Sequence, residues 1–249
     1  MSVVKNIVRR FVGEGNLGRL DVFRHPGMKG RWGGPFNGQK FRQRIFFDLL
    51  YLFPIEAIVE TGTFIGTTTA LFGATRLPVY SAEIRPRYFS YSKMRFLFNR
   101  DNLHFYLGDS RSFLRDLCDD IAISKEDVFF YIDAHGEGDL PLRKELEIIF
   151  SGWTRPIVMV DDFRVPNSDY GFNDYGPGKM LDLSYIDSVV SAHKLAVFFP
   201  AANSSAETGA KRGCVVLCRE SSGIDIDTKI ATLVRHRSDS HDTGTDLER

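Results

Sequence analysis

Five short apolar runs in this chain end in acidic residues, at the points where a buried strand would open into a loop. The runs end at Val59-Glu60-Thr61-Gly62-Thr63-Phe64-Ile65-Gly66, at Glu83, at Gly108-Asp109-Ser110, at Asp133-Ala134-His135 and at Asp161-Asp162-Phe163. Gly62 permits a tight turn or a close backbone approach, and Gly66 lets a following helix sit near its strand. Their G-x-x-x-G spacing lacks the central glycine of the dinucleotide fingerprint, because Phe64 fills that place and would obstruct a pyrophosphate. Glu83 stands where a carboxylate accepts hydrogen bonds from both ribose hydroxyls of a nucleoside, its alternative being a surface acid paired with Arg85 or Arg87. Asp109 either caps the next helix or binds an adenine amino group.

The other two ends bring three carboxylates together, and clustered like charges raise one another's pKa unless a cation balances them. A divalent ion is the economical answer, and hard oxygen ligands without cysteine suit Mg²⁺, or Mn²⁺ or Ca²⁺. Neighbouring strand residues point to opposite faces, so Asp161 and Asp162 converge only if the pleat has already ended there. The alternative is that one of them caps a loop or pairs with Arg164. An imidazole titrates near pH ~6.5, which makes His135 the candidate general base, with Asp133 as its catalytic neighbour. Otherwise His135 orients Asp133 or belongs to the loop HGEGDLP.

Positioning these ends requires a sheet. Candidate strands lie at 57–60, 79–84, 103–109, 128–134 and 157–163, with candidate helices near 66–75, 86–99, 110–118 and 139–150 between them. Unbroken apolar strands alternating with helices specify a doubly wound α/β domain, its parallel sheet covered on both faces. A helix near 180–192 and strands at 195–201 and 213–219 follow. The last two are joined without a helix and must run antiparallel, which predicts seven strands with the last one reversed. Residues 1–38 read as a lead-in: Val3, Val4, Ile7, Val8, Phe11 and Val12 make one helical face, and the Gly/Pro-rich HPGMKGRWGGPFNG either covers a cleft or pads the sheet. Residues 39–222 form the main domain, and 223–249 an extension whose tail from Ser238 is polar enough for disorder.

Over roughly residues 50–220 the chain resembles the class I S-adenosylmethionine-dependent methyltransferases. The resemblance implies a Rossmann-like sheet of seven strands with an antiparallel last strand. It also implies cofactor contacts from Glu60, Thr61, Gly62, Thr63, Phe64, Gly66, Glu83, Asp109, Ser110 and Asp133, with Glu60 orienting the amino-acid end. The acids ending strands four and five resemble those of metal-dependent O-methyltransferases of the catechol and macrolide-sugar types. That implies Asp133, Asp161 and Asp162 as metal ligands, and O-methylation of a small hydroxylated acceptor such as a sugar or secondary metabolite. Two other readings share the fold: a non-catalytic protein that binds a nucleoside or a partner, and a nicotinamide-dependent oxidoreductase, against which Phe64 counts.

Composition narrows the partners. Thirty-two Lys plus Arg balance thirty-two Asp plus Glu, so nothing draws the whole molecule toward nucleic acid. No run reaches the ~18–20 apolar residues of a membrane span, and the first fifteen residues lack the apolar core of a signal peptide, which predicts a cytoplasmic protein. Cys118, Cys214 and Cys218 have no zinc spacing and read as reduced core residues. Tyr170, Phe172 and Tyr175 either wall an acceptor pocket or lie on a surface loop. Homo-oligomerisation is left open.

Overall fold

Short, mostly apolar runs suit strands buried on both faces, and Ala57–Thr61 (β1), Val128–Ile132 (β4) and Ile157–Asp161 (β5) are buried at each residue. The computed structural model describes residues 13–98, 101–136, 139–222 and 226–237. The helical face expected at Val3–Val12 and the tail from Ser238 lie outside the described residues. The remaining strands are Val79–Glu83 (β2), Leu103–Leu107 (β3), Leu195–Pro200 (β6), Cys214–Arg219 (β7) and Leu233–Arg235 (β8). They form one sheet in the order β3-β2-β1-β4-β5-β7-β6-β8. β1 to β5 pair in parallel, and β7 runs antiparallel to both β5 and β6. The eighth strand is one more than expected: residues 233–235 continue the sheet through an antiparallel pairing with β6. Three residues give too short a pattern for period-two alternation to register.

Helices Glu14–Arg24 (α1), Lys40–Leu52 (α2), Thr67–Ala74 (α3), Pro86–Arg95 (α4), Ser110–Asp119 (α5), Leu142–Gly152 (α6), Leu183–His193 (α7) and Ile226–Lys229 (α8) cover the sheet. Alternate strand residues send side chains to opposite layers. Val59, Phe130, Ile132, Val158 and Val160 meet Leu114, Leu146, Ile149 and Phe150 of α5 and α6 on one face. Ile58, Phe129, Tyr131 and Met159 meet Phe46 and Leu49 of α2 and Phe72 of α3 on the other. α1 and α2 go beyond the expected elements. α1 lies against α4, where Asp21 pairs with Arg87 at 2.7 Å. Two 3-10 segments, Pro26–Gly33 and Pro35–Gly38, connect α1 to α2. No described helix is long and apolar enough to cross a membrane. Cys214 and Cys218 are buried and Cys118 is half-buried, and no disulfide joins them.

Candidate functional site

Strand order reverses between β1 and β4, and in an open α/β sheet the crevice beyond the carboxyl ends at that point is where ligands bind. Gly62 follows β1 at φ 90, and a side chain there would strike the Asp133 carbonyl after β4. Its absence keeps the two loops in contact, while the Gly62 and Thr63 N–H groups donate to the Ala82 carbonyl at 2.9 and 3.1 Å. Phe64 has φ 50, a left-handed backbone that costs a non-glycine residue roughly 1–2 kcal/mol. Its ring meets Tyr88 edge-on with centroids 4.5 Å apart. Phe64 is therefore a wall. A cavity of about 660 Å³ remains beside it, lined in part by Glu83, Asp109, Ser110, Asp133, His135 and Asp162. A narrow adjoining hollow of about 40 Å³ reaches Glu60 and Thr63. Trp32, Asn37, Gly62, Phe64 and Asp133 border both. Thr61 and Gly66 border neither of the two: Thr61 is buried in β1, and Gly66 caps α3 at φ 71.

The three strand-end acids differ in surroundings. Glu60 is buried, and burial pushes its carboxyl up to about 8 against the opposing hydroxyl bonds that Ser81 and Thr69 donate at 2.5 Å. Glu83 accepts the backbone N–H of Phe64 at 2.7 Å and of Arg85 at 2.8 Å. Burial raises its pKa while those N–H groups oppose the rise. The surface pairing with Arg85 or Arg87 therefore gives way to backbone bonds, and Arg87 goes to Asp21 instead. Asp109 caps α5 through the Arg111 N–H at 2.9 Å and also takes the Arg111 guanidinium at 2.6 Å, which holds its carboxyl below the usual range. The cap alternative is thus realised, with the side chain still on the cavity wall.

Asp133, Asp161 and Asp162 do not form an oxygen cage. β5 ends at Asp161, Asp162 turns left-handed at φ 55, and the two carboxylates part. Asp161 is fully buried and ion-paired with the equally buried Arg42, and accepts from Tyr131 Oη and from Asn37 Nδ2 at 3.2 Å. It lines neither hollow, which corrects the expectation of a metal ligand there. Asp162 faces the cavity, with Arg212 at 2.7 Å and Asn173 at 2.8 Å; neither acid pairs with Arg164. Burial works to raise the Asp162 pKa, but His135 and Arg212 hold it well below the usual carboxylate range. The group that converges is Asp133, His135 and Asp162, with one ligand atom from each within 4.8 Å of the others. A guanidinium already neutralises one of its two carboxylates, so the cluster does not fit the Mg²⁺ site expected. Two arginines supply the cations that a metal was invoked to provide.

His135 Nε2 lies 3.4 Å from Asp162 and 3.5 Å from Asp133, and its side chain is 4% exposed. Burial disfavours the charged ring, but the Asp162 hydrogen bond and the charges of Asp133, Asp162 and Glu145 outweigh it and raise the pKa. Burial lifts Asp133 to about 7, with His135 pulling the other way. Tyr170 is in the core with its hydroxyl on the Ala202 carbonyl, and Phe172 packs under Arg164. Tyr175 alone of that trio reaches the site, through Asn173 at 2.9 Å.

Several residues here carry no local signal in the sequence. Arg42 and Arg212 are recognisable only through acids 119 and 50 positions away. Asn37 and Trp32 come from the Gly/Pro-rich lead-in, which covers the cleft; Trp32 is 61% exposed, with Arg31 stacked against it and against Phe64. A tryptophan within a glycine-rich run is the cue there.

No protein-family model and no curated protein matches the sequence. Solved structures do. A Staphylococcus aureus protein described as a caffeoyl-CoA O-methyltransferase is 12% identical, with 88% of this chain and 93% of that one covered at a TM-score of 0.50. A Bacillus cereus O-methyltransferase in complex with S-adenosylhomocysteine is 14% identical, with 88% and 98% covered at 0.50. A structure concerned with conversion of a disulfide bond into a thioacetal group during echinomycin biosynthesis is 12% identical, with 80% and 88% covered at 0.51. At such identities the likeness is one of fold, and the chain has the Rossmann-like fold of the class I S-adenosylmethionine-dependent methyltransferases.

Proposed function

We propose that this protein is an S-adenosylmethionine-dependent methyltransferase acting on an oxygen of a small hydroxylated acceptor, a sugar or a secondary metabolite. The observation that carries the reading is the convergence of Glu60, Glu83 and Asp109, from three strand ends, on two adjoining hollows beside the Gly62 turn. The space fits: about 660 Å³ lies within the roughly 300–1,000 Å³ of small-molecule sites. The polar groups fit as well. Glu60 suits an ammonium, Glu83 a ribose diol, and Asp109 with Ser110 an adenine edge. Bound there, the cofactor supplies an electrophilic methyl group on a sulfonium.

The chain's own part is to hold the acceptor oxygen in line and to take its proton. Asp133 borders both hollows, and burial lifts its carboxyl to about 7, which suits it to take the acceptor's proton, with His135 held beside it between two carboxylates that raise the pKa of the ring. Asn173 and Arg212, which line the larger hollow beside Asp162, stand on the acceptor side, with Tyr175 accepting a hydrogen bond from Asn173. No step runs through a metal, and exhaustive chelation is expected to leave ligand binding unchanged.

Calorimetry with S-adenosylmethionine and S-adenosylhomocysteine tests the reading, with micromolar binding expected. The chain has two tryptophans, and only Trp32 lines the hollows. Binding is therefore expected to change the fluorescence of Trp153→Phe protein and not that of Trp32→Phe protein. Absence of heat from either ligand at high micromolar concentration rejects the assignment.

A further inference from the structure

Among the described residues, four buried polar atoms without a hydrogen-bond partner gather behind the cavity wall: Thr61 Oγ1, His135 Nδ1 and both carboxylate oxygens of Glu145. They come from the end of β1, the loop after β4 and the first turn of α6. Thr61 and Glu145 are fully buried. They are neighbours: the hydroxyls of Thr61 and Ser110 stand beside the Glu145 carboxylate, and the charges of Glu145 and His135 act on each other. Yet neither hydroxyl completes a hydrogen bond to Glu145 of proper length and angle.

Native proteins rarely leave such a group unsatisfied, and an internal water with two to four polar partners is the usual remedy. The donor and acceptor inventory determines how it must connect. A carboxylate accepts, a charged imidazole donates from both nitrogens, and a hydroxyl does either. His135 Nε2 is already committed to Asp133 and Asp162. Nδ1 is the ring nitrogen left without a partner, and Glu145, the carboxylate whose charge acts on the ring, also lacks one.

We propose that Glu145 is a positioning residue for His135, joined to it by a buried water that accepts the Nδ1 proton, donates to the carboxylate and is shared with Thr61. The link fixes the plane of the ring, so that Nε2 stays against Asp133 and Asp162 and holds the carboxylate that receives the acceptor's proton. Its consequence for catalysis rests on the methyl-transfer reading. The link itself belongs to the unliganded chain.

Long-range proton–nitrogen correlation on full-length protein with ¹⁵N-labelled histidine tests it, with His135→Gln identifying that ring among the six histidines. The wild type is expected to show a His135 Nδ1 proton protected from solvent exchange. In Glu145→Gln that proton is expected to move upfield and exchange at least tenfold faster, and in Thr61→Val to change in the same direction, while the other rings keep their signals. A bare Nδ1, or a His135 spectrum unchanged in folded Glu145→Gln, overturns the link. If Glu145→Gln does not fold, the wild-type and Thr61→Val spectra decide alone. S-adenosylhomocysteine added to the same samples separates the two readings. No binding refutes the cofactor and leaves the Nδ1 result standing, whereas binding with a bare Nδ1 does the reverse.

Discussion

Arg42 carries the heaviest structural load of any single residue at this site. Its guanidinium is buried beneath the cavity floor, paired with Asp161 and donating to the Arg212 carbonyl, so the charge is tolerated only because it is answered. Arg42→Met is expected to lower unfolding free energy by about 3–5 kcal/mol, since it strands the Asp161 carboxylate. Arg42→Met with Asp161→Asn is expected to lose less than the sum of the two singles, as read by urea denaturation in a double-mutant cycle. Additive losses would mean the pair is not coupled. Glu60 makes a second prediction through pH. Its carboxyl loses its proton near 4.5 in the unfolded chain and near 8 in the folded one. Between those values the unfolded state binds fewer protons, so stability falls as pH rises from about 4.5 to about 8. Asp133 and Glu145, both raised to about 7 by burial, act with the same sign. Glu60→Gln is therefore expected to flatten the decline in urea midpoint between pH 5 and 8 without abolishing it; an unchanged slope contradicts a buried, proton-retaining Glu60.

Among the elements, the lead-in and the loop before β7 form one wall. Glu207 in that loop accepts the N–H groups of Phe41 at 3.1 Å and Arg42 at 3.2 Å, capping α2 with a charge placed at its positive end. Gln39 pairs with both the N–H and the carbonyl of Arg212 at 2.8 Å, as a backbone strand would. The Ala210 N–H donates to Asn37 at 3.0 Å. These bonds set Asn37 on the boundary of the two hollows and bring Arg212 to Asp162. Glu207→Ala is expected to cost about 2–3 kcal/mol, because two helix N–H groups lose a charged acceptor at once. It should also weaken S-adenosylhomocysteine binding by loosening the Asn37 and Trp32 wall. A variant that melts lower yet binds with wild-type affinity would show that this wall stands without its cap.

For the whole molecule, a ligand that binds only the folded state stabilises it by mass action. S-adenosylhomocysteine at one hundred times its Kd is expected to add about 2.7 kcal/mol and to raise Tm by roughly 5–10 °C. Adding EDTA to the unliganded protein is expected to shift Tm by less than 1 °C, roughly the resolution of the method, because arginines already balance the acids. A large fall on chelation would return a metal to the site.

What the sequence determined by itself is the order of the layers. Apolar runs at β1, β4 and β5 suit the centre of a covered sheet, and with β2 and β3 they carry Gly62, Glu83, Asp109 and Asp133 to one edge. These signals are local, each readable within one strand and its turn. What only the tertiary structure decided is which charge answers which. Asp161 and Asp162 are alike as neighbours in the chain, and one goes to Arg42 beneath the floor and the other to Arg212 at the wall. The same holds for His135, bracketed by two acids, and for α1 and Trp32, given purpose by what they cover. An ion pair depends on distance in space, and residues 27, 50 or 119 positions apart leave no periodic trace of it in the chain.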